Sequence, residues 1–89
     1  MGTSVFEGLT DEELDLIEAR VRKAASVPWD SFVEGRDHTS GSSFIRTPVS
    51  DIELSGATAA DQDFIAHARD DLPRLLKEVR RLRRRAASR

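Results

Sequence analysis

The chain has 89 residues, 38% apolar and 34% charged, with a formal net charge of −2. That is the composition of one small globular domain with a single core. Cysteine is absent, which excludes disulfides, thiolate metal sites and a cysteine nucleophile and suits a reducing, cytoplasmic setting. The start Met1-Gly2-Thr3-Ser4-Val5-Phe6-Glu7 has neither the basic opening nor the apolar run of a signal peptide. No segment approaches the ~20 apolar residues of a membrane span, so no membrane partner is expected.

The small net charge hides a polarity. Residues 1–73 carry 6 basic and 15 acidic side chains, whereas residues 74–89 carry 8 basic and 1 acidic. A domain of this size buries a modest fraction of its surface, and self-association is a natural way to cover more apolar area.

Thr10-Asp11-Glu12-Glu13-Leu14 reads as a helix start, with Thr10 as cap, Glu13 closing a capping box, and Leu9 and Leu14 placed as a hydrophobic staple. Leu14, Ile17, Val21 and Ala24 follow at helical spacing, and Arg20, Arg22 and Lys23 sit where the helix dipole favours cations. A first helix is expected over about residues 10–26, ended by Pro28.

Trp29 to Glu34, Phe44 to Thr47 and Asp51 to Leu54 are short strand candidates separated by turn residues, with Pro48 at an edge, bulge or turn. They predict a two- or three-stranded antiparallel meander. Thr58-Ala59-Ala60-Asp61 then caps a second helix. Phe64, Ile65 and Ala68 open an apolar stripe that Leu72, Leu75, Val79, Leu82 and Ala86 continue at alternating spacings of three and four. This resembles a short coiled-coil seam. Pro73 predicts a kink or break near residues 70–73, because its ring removes a helical hydrogen bond and crowds the carbonyl of Arg69.

The stretch Gly35-Arg36-Asp37-His38-Thr39-Ser40-Gly41-Ser42-Ser43-Phe44-Ile45-Arg46-Thr47 concentrates two arginines, a histidine and several hydroxyls. Arg36, Asp37, His38, Thr39, Ser40, Ser42, Ser43 and Arg46 are the candidate ligand- or partner-binding residues, able to cradle a phosphate or a partner's carboxylate. The same residues also suit a polar hairpin loop whose Asp and Ser side chains bond their own backbone. The spacing matches no phosphate-loop motif.

His38 beside Asp37, and His67 with Asp63 and Asp71, lack the tight spacing of metal motifs, and no metal or other cofactor is expected. Gly41-Ser42-Ser43 lacks the nucleophile elbow, and Asp70 and Asp71 point in different directions on a helix, so catalysis is not expected. The arginine-rich tail invites a nucleic-acid reading. The absence of interleaved aromatics and the acidic remainder of the chain argue against it, and favour a solvated face whose seam packs internally or against a copy of itself, with arginines also free to pair with the acidic first helix.

Over roughly residues 9–82 the chain resembles a widespread group of small accessory proteins of bacteria and their phages. The carriers are LTDEELDLIEARVRKAASVPW, VEGRDHTSGSSFI, DIELSGATAADQDF and FIAHARDDLPRLLKEVRRLR. The chain departs in having Ser26-Val27-Pro28-Trp29 where many of that group have a Gly-Pro-Trp sequence. The resemblance implies a small soluble protein without catalysis, often carried on mobile or phage DNA. By analogy of context, such proteins are inhibitors, immunity proteins or sequesterers of a signalling molecule.

The expected architecture is α+β: an N-terminal helix, a small antiparallel β-meander and a long Pro-kinked C-terminal helix in one domain over residues 1–89. Residues 9–82 form its ordered core, with 1–8 and 83–89 as flexible ends. Leu14, Ile17, Val21, Trp29, Phe32, Phe44, Ile52, Phe64, Ile65 and Leu72 are the expected core. Leu75, Val79 and Leu82 are the expected oligomer seam. The leading functional expectation is a non-enzymatic module of immunity or antidote type that neutralises a toxin or effector protein through its acidic face and the hairpin loop. A homo-oligomeric sponge for a phosphate-bearing nucleotide comes second, and nucleic-acid binding through the tail third.

Overall fold

The computed structural model describes residues 8–37 and 42–88. Helix α1 (Asp11–Lys23) is followed by strands β1 (Asp30–Phe32), β2 (Phe44–Arg46) and β3 (Asp51–Glu53), then by helix α2 (Ala59–Ala87). The strands form an antiparallel sheet in the order β1-β2-β3, with Ser31 opposite Ile45 and Ile45 opposite Ile52. The fold is the α+β arrangement expected from the sequence.

Both helices start on complete capping boxes. Thr10 Oγ1 accepts from the Glu13 amide at 3.0 Å while Glu13 returns a bond to the Thr10 amide at 2.8 Å, and Thr58 and Asp61 repeat the pattern at 3.0 and 3.1 Å. Each box satisfies donors that a helix start otherwise leaves to water. The β2–β3 connection is built round Thr47, whose hydroxyl donates to the Ser50 carbonyl and accepts from the amides of Val49 and Ser50. Pro48 therefore occupies a turn, where its missing N–H costs nothing.

Helix α2 runs beneath everything else. The sheet packs on its first half and α1 on its second, and among the described residues α1 and the strands do not pack against each other. Among the described residues the buried apolar side chains are Leu14, Ile45, Ala66 and Leu76, of which Leu14 and Ile45 are fully buried. The radius of gyration is 17.4 Å over extents of 55 × 27 × 19 Å, whereas a compact chain of this length has about 12 Å.

Three expectations change. Of the kink or break expected near residues 70–73, the break does not occur: Pro73 lies inside one uninterrupted helix, which continues to Ala87. Phe64, Ile65 and Leu72 are exposed, at 75%, 38% and 47%. The face of α2 turned inward instead carries Gln62, Ala66, Arg69 and Leu76, with Arg80 and Arg83 reaching α1. The regular stripe lies roughly 110° round the helix from that face at 100° per residue. It therefore does not close the core. Phe32 and Phe44 are half-buried on the sheet's outer side, and Ile45 takes the central core position.

Candidate binding face

The period-two geometry of the sheet decides which side chains meet. Ser31, Ile45 and Ile52 share the side turned to α2, where Gln62 Nε2 donates to Ser31 Oγ at 2.9 Å. Asp30, Phe32, Phe44, Arg46, Asp51 and Glu53 therefore share the outer side. At its centre the Phe32 and Phe44 rings stack with centroids 5.3 Å apart and planes at 25°. The Arg46 guanidinium carbon lies 5.2 Å from the Phe32 centroid and 5.3 Å from that of Phe44. A cation held over ring faces is attracted by their negative quadrupole. Arg46 also pairs with Asp51 at 3.5 Å.

Gln62 fixes this platform from below. It is 2% exposed, and its amide donates to the carbonyls of Phe32 and Phe44 at 3.0 Å each, the two residues that face each other at the mouth of the β1–β2 connection. One polar side chain on α2 thus holds both aromatic residues in register through their backbones.

The residues singled out in the sequence divide between the two sides of the sheet. Ser42 donates to Glu53 at 2.9 Å, Ser43 accepts from the Glu34 amide at 3.1 Å, and Arg46 lies on the outer side. Arg36 and Asp37 turn towards α2. Arg36 grips Asp63 through two hydrogen bonds, of 2.7 and 3.0 Å, and also pairs with Asp37, which accepts from the Val33 amide at 2.7 Å. The two arginines do not converge. His38, Thr39 and Ser40 lie outside the described residues.

The hydrogen bonds from Arg36, with a further one from Ser31, hold the Asp63 carboxyl down to about 2. Arg36 and the Val33 amide lower Asp37 in the same way, and Asp63 and Asp37 push the Arg36 guanidinium still higher. Arg36 is thereby committed to two carboxylates. Among the described residues no three His, Asp or Glu side chains come together as a metal site.

Part of the basic tail is also engaged within the chain. Arg80 pairs with Asp15 and Glu18 at 2.9 and 3.0 Å, Arg83 with Asp11 at 3.5 Å, and Arg81 with Glu78. No helix among the described residues is long and apolar enough to cross a membrane.

No protein-family model, curated protein or solved structure matches the chain.

The sequence placed Phe32 and Phe44 in the core and passed over Gln62, Asp30 and Asp51 as site residues. A signal for the first error was present: in Phe44-Ile45-Arg46 the alternation puts Phe44 and Arg46 on one side and Ile45 on the other.

Proposed function

We propose that this chain is a non-enzymatic binding protein of inhibitor or immunity type, and that the outer side of its sheet is the surface that covers a partner protein. The observation that carries this reading is the stacked Phe32–Phe44 pair under Arg46, rimmed by exposed Asp30, Asp51 and Glu53. Aromatic residues and arginine at the centre with polar groups at the rim are what binding hot spots are made of. Three carboxylates against one guanidinium favour a basic partner, and complementary charge speeds encounter and fixes orientation.

A second reading, sequestration of a phosphate-bearing nucleotide, draws on the same platform, since rings offer stacking and Arg46 with Ser42 and Ser43 offers donors. Three features weigh against it. Ser42 already donates to Glu53, the rim is net negative, and Arg36 is engaged by Asp63 and Asp37.

The test compares the parent chain with Arg46→Glu, a substitution at a side chain 59% exposed, with circular dichroism and a melting curve checking that the variant is folded. Immobilised parent chain should retain a basic protein from a host-cell extract, and Arg46→Glu should lose it. Equal retention by both chains defeats the reading. A nucleotide at 100 times its dissociation constant adds about 2.7 kcal/mol of stability, so a melting shift abolished by Arg46→Glu would transfer the face to the second reading.

A further inference from the structure

We infer that the exposed stripe of α2 is a two-fold interface, and that its occupant is a second copy of this chain lying antiparallel to the first. The inference goes beyond the sheet face and uses a separate surface. Leu72, Leu75 and Leu82 are 47%, 60% and 47% exposed, and Ile65, Ala68 and Val79 continue the same line. Beside it a groove of about 330 Å³ opens between the helices, walled by Ile17, Val21 and Trp29 on one side and by Ile65, Ala68 and Leu72 on the other. A neighbouring helix seated along α2 fills this groove and completes a four-helix arrangement.

Charge selects a copy of the same chain and sets its direction. Outside the ion pairs that tie α2 to the β1–β2 connection and to α1, Asp61, Asp70 and Asp71 lie in the first half of α2, and Arg74, Lys77, Arg81, Arg84 and Arg85 in the second. Parallel pairing would set acid on acid and base on base. Antiparallel pairing sets each acidic half against a basic half, which makes the helix complementary to itself, as a two-fold contact requires.

The spacing agrees. With the two-fold axis between Leu72 and Leu75, Leu72 meets Leu75 of the partner subunit, Ala68 meets Val79 of the partner subunit, and Ile65 meets Leu82 of the partner subunit. Position 84 of the partner subunit then lies level with position 63, on the side of the helix away from the seam. The few apolar side chains buried in one copy, and the extended shape of that copy, also fit a chain whose core is completed by assembly.

Light scattering should give about twice the 9.9 kDa chain mass. The double variant Leu75→Glu/Leu82→Glu should return a single-chain mass with its helical circular dichroism kept. Should that variant unfold, orientation is still read on the otherwise unaltered chain, because the sequence has no cysteine and Arg84→Cys accepts a unique spin label. Antiparallel copies place the two labels roughly 35 Å apart, from a 1.5 Å rise over the offset between positions 84 and 63. A distance of roughly 20 Å, the lateral separation expected of outward labels on parallel helices at ordinary packing distance, overturns the inference. So does a single-chain mass for the parent at every concentration, which would leave the face to a different partner.

Discussion

Arg36 and Asp63 close a two-point ion pair between the β1–β2 connection and α2, across 27 positions of sequence. Because the pair holds Asp63 at about 2, below its ordinary 3.8, the carboxylate favours the folded chain above the unfolded value. That contribution is lost as pH falls through the folded value. Asp37 is shifted in the same direction. The melting temperature of the parent should therefore fall as pH drops from about 4 towards 2. In Asp63→Asn it should be lower at neutral pH and fall less steeply over that window. Parallel pH profiles for the two chains would rule out the linkage.

Gln62 is the polar pin of the core, and the prediction turns on its donor. In Gln62→Glu an ionised side chain of nearly the same shape offers only acceptors to the Phe32 and Phe44 carbonyls. In Gln62→Leu the shape is kept without any polar group. Both leave buried carbonyls without their partner, at about 1–3 kcal/mol. For a domain of this size each kcal/mol corresponds to roughly 4–8 °C in melting temperature. Gln62→Glu should be the worse at neutral pH, and should recover part of the loss where its carboxyl is protonated. A scan showing neither variant destabilised would remove Gln62 from this role.

Ile45 and Val49 separate core from surface within five residues. Ile45 is 0% exposed and Val49 is 77% exposed. Ile45→Ala should cost about 2–5 kcal/mol, and Val49→Ala should stay within about 0.5 kcal/mol. Equal losses in urea titrations of the two variants would contradict the placing of Ile45 in the core and of Val49 in an exposed turn.

Trp29 and Arg69 donate to one acceptor, the Ala25 carbonyl, at 3.1 and 2.8 Å. The segment after α1 is thereby tied to α2 by a charged donor, and hydrogen bonds to charged groups are worth about 1.5–3 kcal/mol. Arg69→Met, which keeps an apolar stem without the donor, should lower stability by an amount of this order. It should also raise the quenching of Trp29 fluorescence by iodide, and an unchanged quenching constant would count against the shared anchor.

The helix starts were legible because a cap is local chemistry: Thr10 with Glu13 and Thr58 with Asp61 need only four residues each. The strands were legible for a related reason, since Gly35, Pro48 and Gly56 mark their ends. What failed was the choice of face on α2. The regular Leu72, Leu75, Val79, Leu82 stripe outweighed an inner face written in Gln62, Arg69, Leu76, Arg80 and Arg83, which a hydrophobic pattern scores as solvent. Long arginine stems cover apolar surface while their heads find Asp11, Asp15 and Glu18 on α1. The charge polarity of the chain left that pairing open, but which arginines make it depends on which elements meet, and periodicity does not show that. The same limit applied to the loop: Arg36 and Arg46 lie ten positions apart, and the pairing register sets Arg46 on the outer side of the sheet while Arg36, in the turn after β1, reaches Asp63 on α2.

Helix α2 is the common floor of α1 and the sheet, which among the described residues do not pack against each other. Native-state hydrogen exchange should then resolve two opening events of unequal free energy, α1 lifting from one end and the sheet from the other, because cooperative units follow packing rather than chain order. The amides of α2 would divide between them, those near Gln62 and Ala66 exchanging with the strands and those near Leu76 and Arg80 with α1. One continuous helix would in this way report on two separate stabilities.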